Sequence, residues 1–299
     1  MVAPGRTPPA PGARLRVAVT GAAGMLGSAV VEECRSAHEV LPLRRSDCDL
    51  ADASSTHTHL AALAPDVVVH CAAWTDVDGC EGDPERAWRD NAVATENVVR
   101  AVTAARARLL LISTDYVFDG ALQRPYREDD ETAPINVYGR SKRAAEEHVL
   151  AMGAPGCIVR TSWVFGPGGR HFVRTMARLL RTQEEVRVVD DQVGSPTYTL
   201  DLAAALRRLL EARASGLFHV TNTGQCSWYE FAAAIAVALR FAGRVRSCRS
   251  DEFPRPARRP RNSVLDNGRY LRQGLPALRH WQEALQAYLA ARPDEVAAG

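Results

Sequence analysis

Residues 15–27 read "LRVAVTGAAGMLG", a short β-branched run that ends on three glycines, Gly21, Gly24 and Gly27, and opens into the helically spaced "GMLGSAVVEECRSA". Each glycine has its own task in such a strand-to-helix turn. The first permits the tight turn, the second lets the backbone approach a phosphate, and the third lets the helix pack closely on the strand. A phosphate would then meet free N–H groups at the positive end of the helix. The expectation is a dinucleotide cradle built from Gly21, Gly24, Met25, Leu26 and Gly27. A glycine pattern alone is weak evidence, so the weight falls on its context, with a strand before it and a helix after it.

The same rhythm continues outward. Strand-like "HEVLPL", "DVVVHCA", "RLLLIST" and "GCIVRTS" alternate with helical "THLAALA", "PERAWRDNAVATENVVRAVTAARA" and "NVYGRSKRAAEEHVLAM". Such alternation predicts βαβ units with right-handed crossovers, and strands apolar throughout imply a parallel sheet covered on both faces. The fold class is therefore α/β, with a doubly wound parallel-sheet (Rossmann-type) nucleotide-binding domain over residues 14–165. Beyond about residue 165 the rhythm loosens. Residues 166–292 are expected to form mainly a smaller α/β substrate lobe, with some of its elements free to rejoin the first sheet. The Pro-, Gly- and Ala-rich opening, residues 1–13, reads as a disordered leader and 293–299 as a tail.

Composition narrows the function classes. The chain has 299 residues, 46% of them hydrophobic and 24% charged, which fits a soluble globular protein. Its 37 basic and 35 acidic side chains leave a net charge of +2, so no global field draws it to nucleic acid or to a membrane. No segment approaches membrane-spanning length. Seven scattered cysteines without a CxxC pair argue against a disulfide framework or a zinc cluster, and point to a reducing cytoplasm.

Two further features carry chemistry. "RLLLIST" ends on Ser113 and Thr114, and the carboxyl ends of strands in a doubly wound sheet face the ligand crevice. A hydroxyl there either binds a substrate carbonyl or caps an ordinary turn. "YGRSK" then sets Tyr138 and Lys142 four positions apart, on one helical face. Chance gives YxxxK in many helices; its order behind the glycine turn and the strand-end hydroxyl singles it out. Hydride addition to a ketone builds negative charge on oxygen, so a donor must supply a proton as that charge develops. A free phenol has a pKa near ~10, and a neighbouring ammonium would lower it. After the second strand, where an acidic residue often holds the ribose, stand Arg44 and Arg45 instead. Their guanidinium groups suit a 2′-phosphate and favour NADPH, with NADH as the lesser option. Asp49 and Leu50 follow where an adenine-contacting loop would run.

These residues resemble the extended short-chain dehydrogenases, whose glycine spacing the first turn shares. More closely, "STDYVFDG", "APINVYGRSK", "RTSWVFG", "DDQVGSPT" and "SWYEFA" are similar to the dTDP-4-dehydrorhamnose reductase family over nearly the whole chain after the leader. The resemblance implies a nucleotide-binding domain carrying a smaller sugar-nucleotide domain, and NAD(P)H-dependent reduction of a dTDP-4-keto-6-deoxyhexose. Carried over position by position, it makes Tyr138 the general acid, Lys142 its partner and Thr114 a third catalytic hydroxyl. Asp115 and Trp163 match sugar-contacting positions, Ala73, Trp74 and Thr75 the loop near the nicotinamide, and Val77 lies beside the substrate. Without the family match, Trp163 would read as a core aromatic.

Family members often pair through acidic residues bridged by magnesium, which makes a homodimer conceivable. Glu184 and Glu185 are available here, but adjacent glutamates ordinarily form a solvated helix end, and no metal is assigned. Arg255, Arg258, Arg259 and Arg261 form either a solvated loop or a contact for the substrate diphosphate. His57 and His59 lack further ligands nearby. The chemistry is shared by reductases of other dTDP-4-keto sugars, which the catalytic residues cannot separate. A catalytically silent nucleotide-binding regulatory subunit is a third option, and joint retention of Thr114, Tyr138 and Lys142 argues against it.

Overall fold

In the computed structural model, residues 12–152 and 156–293 are described. The expected leader and tail therefore fall almost wholly outside the described residues.

The chain runs β1 (Arg16–Thr20), α1 (Met25–Arg35), β2 (Glu39–Leu43), α2 (Ala53–Leu63), β3 (Val67–His70), α3 (Val77–Gly82) and α4 (Pro84–Ala87). A π-helical stretch (Trp88–Val93) leads into α5 (Ala94–Ala104), followed by β4 (Arg108–Thr114), α6 (Val137–Ala151) and β5 (Gly156–Thr161). Then come β6 (Val164–Phe165), α7 (Phe172–Thr182), β7 (Glu185–Val189), β8 (Val193–Gly194), β9 (Thr197–Tyr198), α8 (Thr199–Glu211) and β10 (Gly216–His219). The described chain closes with β11 (Cys226–Ser227), α9 (Trp228–Ala238), β12 (Arg244–Cys248), α10 (Gly268–Leu271) and α11 (Trp281–Ala291).

Six strands form one sheet in the order β10-β5-β4-β3-β1-β2, every neighbouring pair parallel. Pro42 falls in β2, an edge strand, where a missing N–H is tolerated. Alternation along the strands feeds two cores. Val17, Val19, Val67, Val69, Leu110 and Val159 pack beneath α1 and α8, while Ala18, Val68, Leu109, Leu111 and Ile158 pack beneath α2, α5 and α6. Burial on both faces explains why these strands are apolar throughout. The strand order reverses between β1 and β3, which opens the crevice where ligands of such sheets bind.

The second half of the chain serves both layers. Helix α8 packs on α1 and β10 extends the sheet beside β5. The remainder builds a separate core in which Phe165, Val173, Met176, Phe231, Ile235, Trp281 and Tyr288 join α7, α9 and α11. Three two-stranded pairings, β7 with β12, β8 with β11 and β6 with β9, complete that lobe. All seven cysteines are free thiols, and no helix among the described residues is long and apolar enough to cross a membrane.

Gly27 shows how tightly α1 sits on its strand, for a Cβ there would stand 2.1 Å from the Gly21 carbonyl oxygen. Backbone cannot swing aside, so Gly27→Ala is expected to lower stability by roughly 1–3 kcal/mol in denaturant titration. Gly82→Ala, with open space around its Cβ position, is the matched control and should change little.

Candidate active site

The carboxyl ends of β1, β3, β4 and β5 open into a cavity of about 390 Å³. At one end lies the glycine turn. Gly21 holds φ +65°, and a Cβ on it would come within 2.8 Å of the Ala72 backbone, so only glycine fits the close passage of β1's exit past β3's. Helix α1 begins with no side-chain cap and no acidic residue in its first turn. Its leading N–H groups are thus left to a ligand, as an anion cradle requires.

A buried polar chain fixes the floor. The His70 ring lies 2.7 Å from Thr20 Oγ1 through Nδ1 and 3.1 Å from Thr95 Oγ1 through Nε2. Burial pushes this imidazole down to about 3, so it is a neutral strut between β1, β3 and α5. Thr95 Oγ1 donates to the Asn91 carbonyl, and the Asn91 side chain accepts from Trp74 N–H at 2.7 Å and donates to Ser141 Oγ at 2.9 Å. Asn91 sits in the π-helical stretch, where the extra residue per turn bulges the backbone. One amide thereby ties the 73–75 loop to α6.

Helix α6 is placed by its own first turn. Asn136 caps it by accepting from Gly139 N–H at 2.8 Å, and Glu81 accepts from Val137 N–H at 3.0 Å. A Cβ on Gly139 would stand 2.1 Å from the Tyr116 carbonyl oxygen, so glycine lets α6 close against the turn after β4. Tyr138 and Lys142 then face the cavity, and both are buried. Lys142 Nζ donates to the Ile112 carbonyl at 2.8 Å. Burial brings Lys142 down to about 8, with the Glu146 carboxylate pulling the other way. Burial also pushes the Tyr138 phenol above its ordinary range, against the Thr114 hydrogen bond that lowers it. On this phenol, burial outweighs the lowering expected from the sequence.

Thr114 is a turn cap that also lines the cavity. Its Oγ1 accepts from Tyr116 N–H at 3.2 Å as a turn cap and donates to Asp115 Oδ1 at 3.0 Å, while the residue lines the cavity. Asp115 is only 3% exposed, and its Oδ2 has no hydrogen-bond partner among the described residues. Burial raises this carboxyl to about 7, opposed by Ser263 and Thr114.

At the far end Trp163 adopts φ +47°, a region that bulky residues rarely enter. Its indole stacks on Trp228 at 3.5 Å and 5°, with Gly194 directly against it. Trp163 is thus at once a packed aromatic and a cavity wall.

The cavity gathers Gly21, Gly24, Met25, Leu26 and Gly27 with Ala73, Thr75, Val77, Thr114, Asp115, Tyr138, Lys142 and Trp163. Five sequence candidates lie outside its lining. Trp74 turns under Arg86, whose guanidinium carbon is 4.1 Å from the ring centre. Arg44, Arg45 and Asp49 are exposed on the loop after β2, where Arg45 pairs with Asp90 at 3.6 Å. Leu50 packs in the second core and gives its carbonyl to Thr56 and Asn97. Part of the arginine-rich segment is tied to the rest of the protein: Arg255 and Arg259 both pair with Asp78, and the Arg258 carbonyl accepts from Asn136, while the Arg255, Arg258 and Arg261 side chains are exposed. Glu185 pairs with Arg246, and no group of three or more metal-ligating side chains occurs among the described residues. Cys71, Tyr116, Arg170 and Trp228 line the cavity without having been singled out. Cys71 was open to the rule that found Thr114, since it too follows a strand end.

Comparison with known proteins places this geometry in a lineage. The family described as RmlD substrate binding domain matches residues 15–292. The chain belongs to that family. It is 45% identical to a dTDP-4-dehydrorhamnose reductase of Mycolicibacterium smegmatis, over 96% of this chain and 91% of the relative. It is 41% identical to a dTDP-4-keto-6-deoxy-D-glucose reductase of Streptomyces niveus, over 93% and 98%. The crystal structure of dTDP-4-dehydrorhamnose reductase from Bacillus anthracis in complex with NADP superposes with a TM-score of 0.91 at 37% identity, covering 93% of this chain and 100% of that one.

Asp115 generates a pH-dependent stability. Its carboxyl titrates near 3.8 in the unfolded chain and at about 7 when folded, so folding loses stability as pH rises between those values. Asn at this position carries no such penalty. Asp115→Asn is expected to raise Tm at pH ~8 by a few degrees more than at pH ~4, read by calorimetry at both.

Proposed function

We propose that the protein reduces the 4-keto group of a dTDP-4-keto-6-deoxyhexose, converting dTDP-4-dehydro-L-rhamnose to dTDP-L-rhamnose with NADPH as hydride donor. The observation that carries this reading is the meeting of Thr114, Tyr138 and Lys142 in one cavity with the glycine turn, in a member of this family. The glycine turn fits a dinucleotide, because Gly21 and Gly27 allow a strand-to-helix turn so tight that a Cβ on either would strike backbone, and α1's first N–H groups are left uncapped at its mouth. NADPH, once bound, supplies the hydride.

The residues of the chain supply the rest. Tyr138 starts protonated, since burial holds its phenol above the ordinary range, and it gives that proton to the ketone oxygen as charge builds. Thr114 orients the carbonyl beside the phenol. The Lys142 ammonium stabilises the phenolate left behind, at a position fixed by its bond to Ile112. Asp115 offers an unpartnered carboxylate oxygen to a sugar hydroxyl, and Trp163 braced on Trp228 presents a flat apolar wall. Arg44 and Arg45 are exposed on the loop after β2, Arg45 in a pair with Asp90, and there they would meet a ribose 2′-phosphate. A second reading, reduction of another dTDP-4-keto sugar, is favoured by one observation, the Streptomyces niveus relative.

Tyr138→Phe is expected to lower kcat by ~10²–10⁴ while leaving NADPH affinity, read by fluorescence titration, nearly unchanged. Unchanged turnover would remove Tyr138 from the mechanism. Replacing Arg44 and Arg45 together with alanine should raise KM for NADPH by about tenfold or more, the loss of one charge-assisted hydrogen bond, and leave KM for NADH unchanged. An equal rise for both cofactors would contradict the 2′-phosphate assignment.

A further inference from the structure

Tyr138, Lys142 and Glu146 occupy positions i, i+4 and i+8 of α6, one above another on the face that meets β4. Each meets its own residue at the end of that strand: Tyr138 the Thr114 hydroxyl, Lys142 the Ile112 carbonyl at 2.8 Å, and Glu146 the Ser113 hydroxyl, which donates to Oε1 at 2.6 Å. Glu146 is fully buried. Arg160 of β5 grips it with two bonds, Nε to Oε1 at 2.8 Å and Nη2 to Oε2 at 2.7 Å. Burying such a pair earns little stability over apolar side chains of the same volume, because desolvation cancels most of the attraction. Its place, one turn behind the proton-transfer pair, suggests what it does there.

We propose that Glu146 is a positioning residue for the reduction, its carboxylate locked by Arg160 and Ser113 so that it keeps Lys142 an ammonium and holds α6 in register with β4. The inference rests on the reading of Tyr138 and Lys142 as the proton-transfer pair. Burial is the largest influence on Lys142 and disfavours its charged form; Glu146 is the largest influence opposing it. The other groups facing Lys142 do not titrate near it. His70 from β3 is held neutral down to about 3, and the Cys71 thiol beyond β3 is pushed up to about 12. Behind Glu146, the Arg160 guanidinium meets the His219 ring of β10, which is neutral down to about 3. Asp115, beyond the end of β4, titrates at about 7, and because its role in sugar binding needs the carboxylate, its protonation shows on the acid limb. The alkaline limb is therefore the signature of Lys142.

The test is the pH profile of kcat/KM for the keto sugar at saturating NADPH, in wild type, Glu146→Gln and Glu146→Asp. Removing the negative charge favours the neutral amine, so the alkaline limb of Glu146→Gln should move down by about one pH unit. Glu146→Asp, which keeps the charge, should hold the limb near its wild-type position even where it costs stability. Should Glu146→Gln fail to fold, the double variant Glu146→Gln/Arg160→Met removes both charges. Of the two charges Glu146 acts on Lys142 the more strongly, so with both removed the limb should still move down, by less than in Glu146→Gln. A folded variant lacking the carboxylate whose limb coincides with wild type overturns the proposal. If neither folds, the pair belongs to the fold alone and the proposal is likewise overturned. A wild type inactive on the keto sugar overturns the reductase reading itself, and this inference with it.

Discussion

Lys142 reaches from α6 to the Ile112 carbonyl on β4, and that bond sits in the middle of the contact on which the site depends. β4 is a central strand, paired on one side with β3 and on the other with β5, so its carboxyl end is among the most constrained parts of the molecule. A helix laid across that end inherits its rigidity. Gly139 allows the approach, Asn136 and Glu81 anchor the helix start, and the buried Glu146–Arg160 pair ties its next turns to β5. A phenol, an ammonium and a hydroxyl are thereby held with little freedom, which is what positioned acid catalysis requires.

The remaining walls follow from chain crossings that draw on distant stretches of sequence. Neutral His70 links the exits of β1 and β3, and Asn91 in the π-helical stretch passes that order on to the 73–75 loop and to α6. From the other half of the chain, Arg255 and Arg259 reach Asp78 at the start of α3, beside Val77 on the cavity wall. The segment that carries those arginines thus braces the nucleotide domain, while the Trp163–Trp228 stack presents the smaller lobe's surface to the same space.

What was legible in the sequence is what is encoded locally. The glycine spacing, the unbroken apolar strands, the strand-end Thr114 and the four-residue step from Tyr138 to Lys142 each declare themselves within a few residues. The return of α8 and β10 to the main sheet is non-local and leaves only an ordinary amphipathic helix and a short strand to read. Trp228 lies in the stretch "SWYEFA", but its stacking on a residue 65 positions earlier depends on a tertiary fold that spacing does not reveal. Arg170 carries no sequence signal. Trp74 and Leu50 were placed by their neighbours, yet side-chain packing turns the first under Arg86 and the second into the core. The arginine-rich segment showed its charge in the sequence, whereas its partner Asp78 lies nearly 180 residues away.

The central claim is that this cavity delivers a hydride to the C4 carbonyl of a nucleotide-linked keto sugar. Incubation of the pure protein with dTDP-4-dehydro-L-rhamnose and NADPH deuterated at the transferring position tests it most directly, with the product analysed by NMR. The account predicts dTDP-L-rhamnose carrying one deuterium at C4. NADPH consumed at background rate with the keto sugar unchanged, or a product without label at C4, would contradict it.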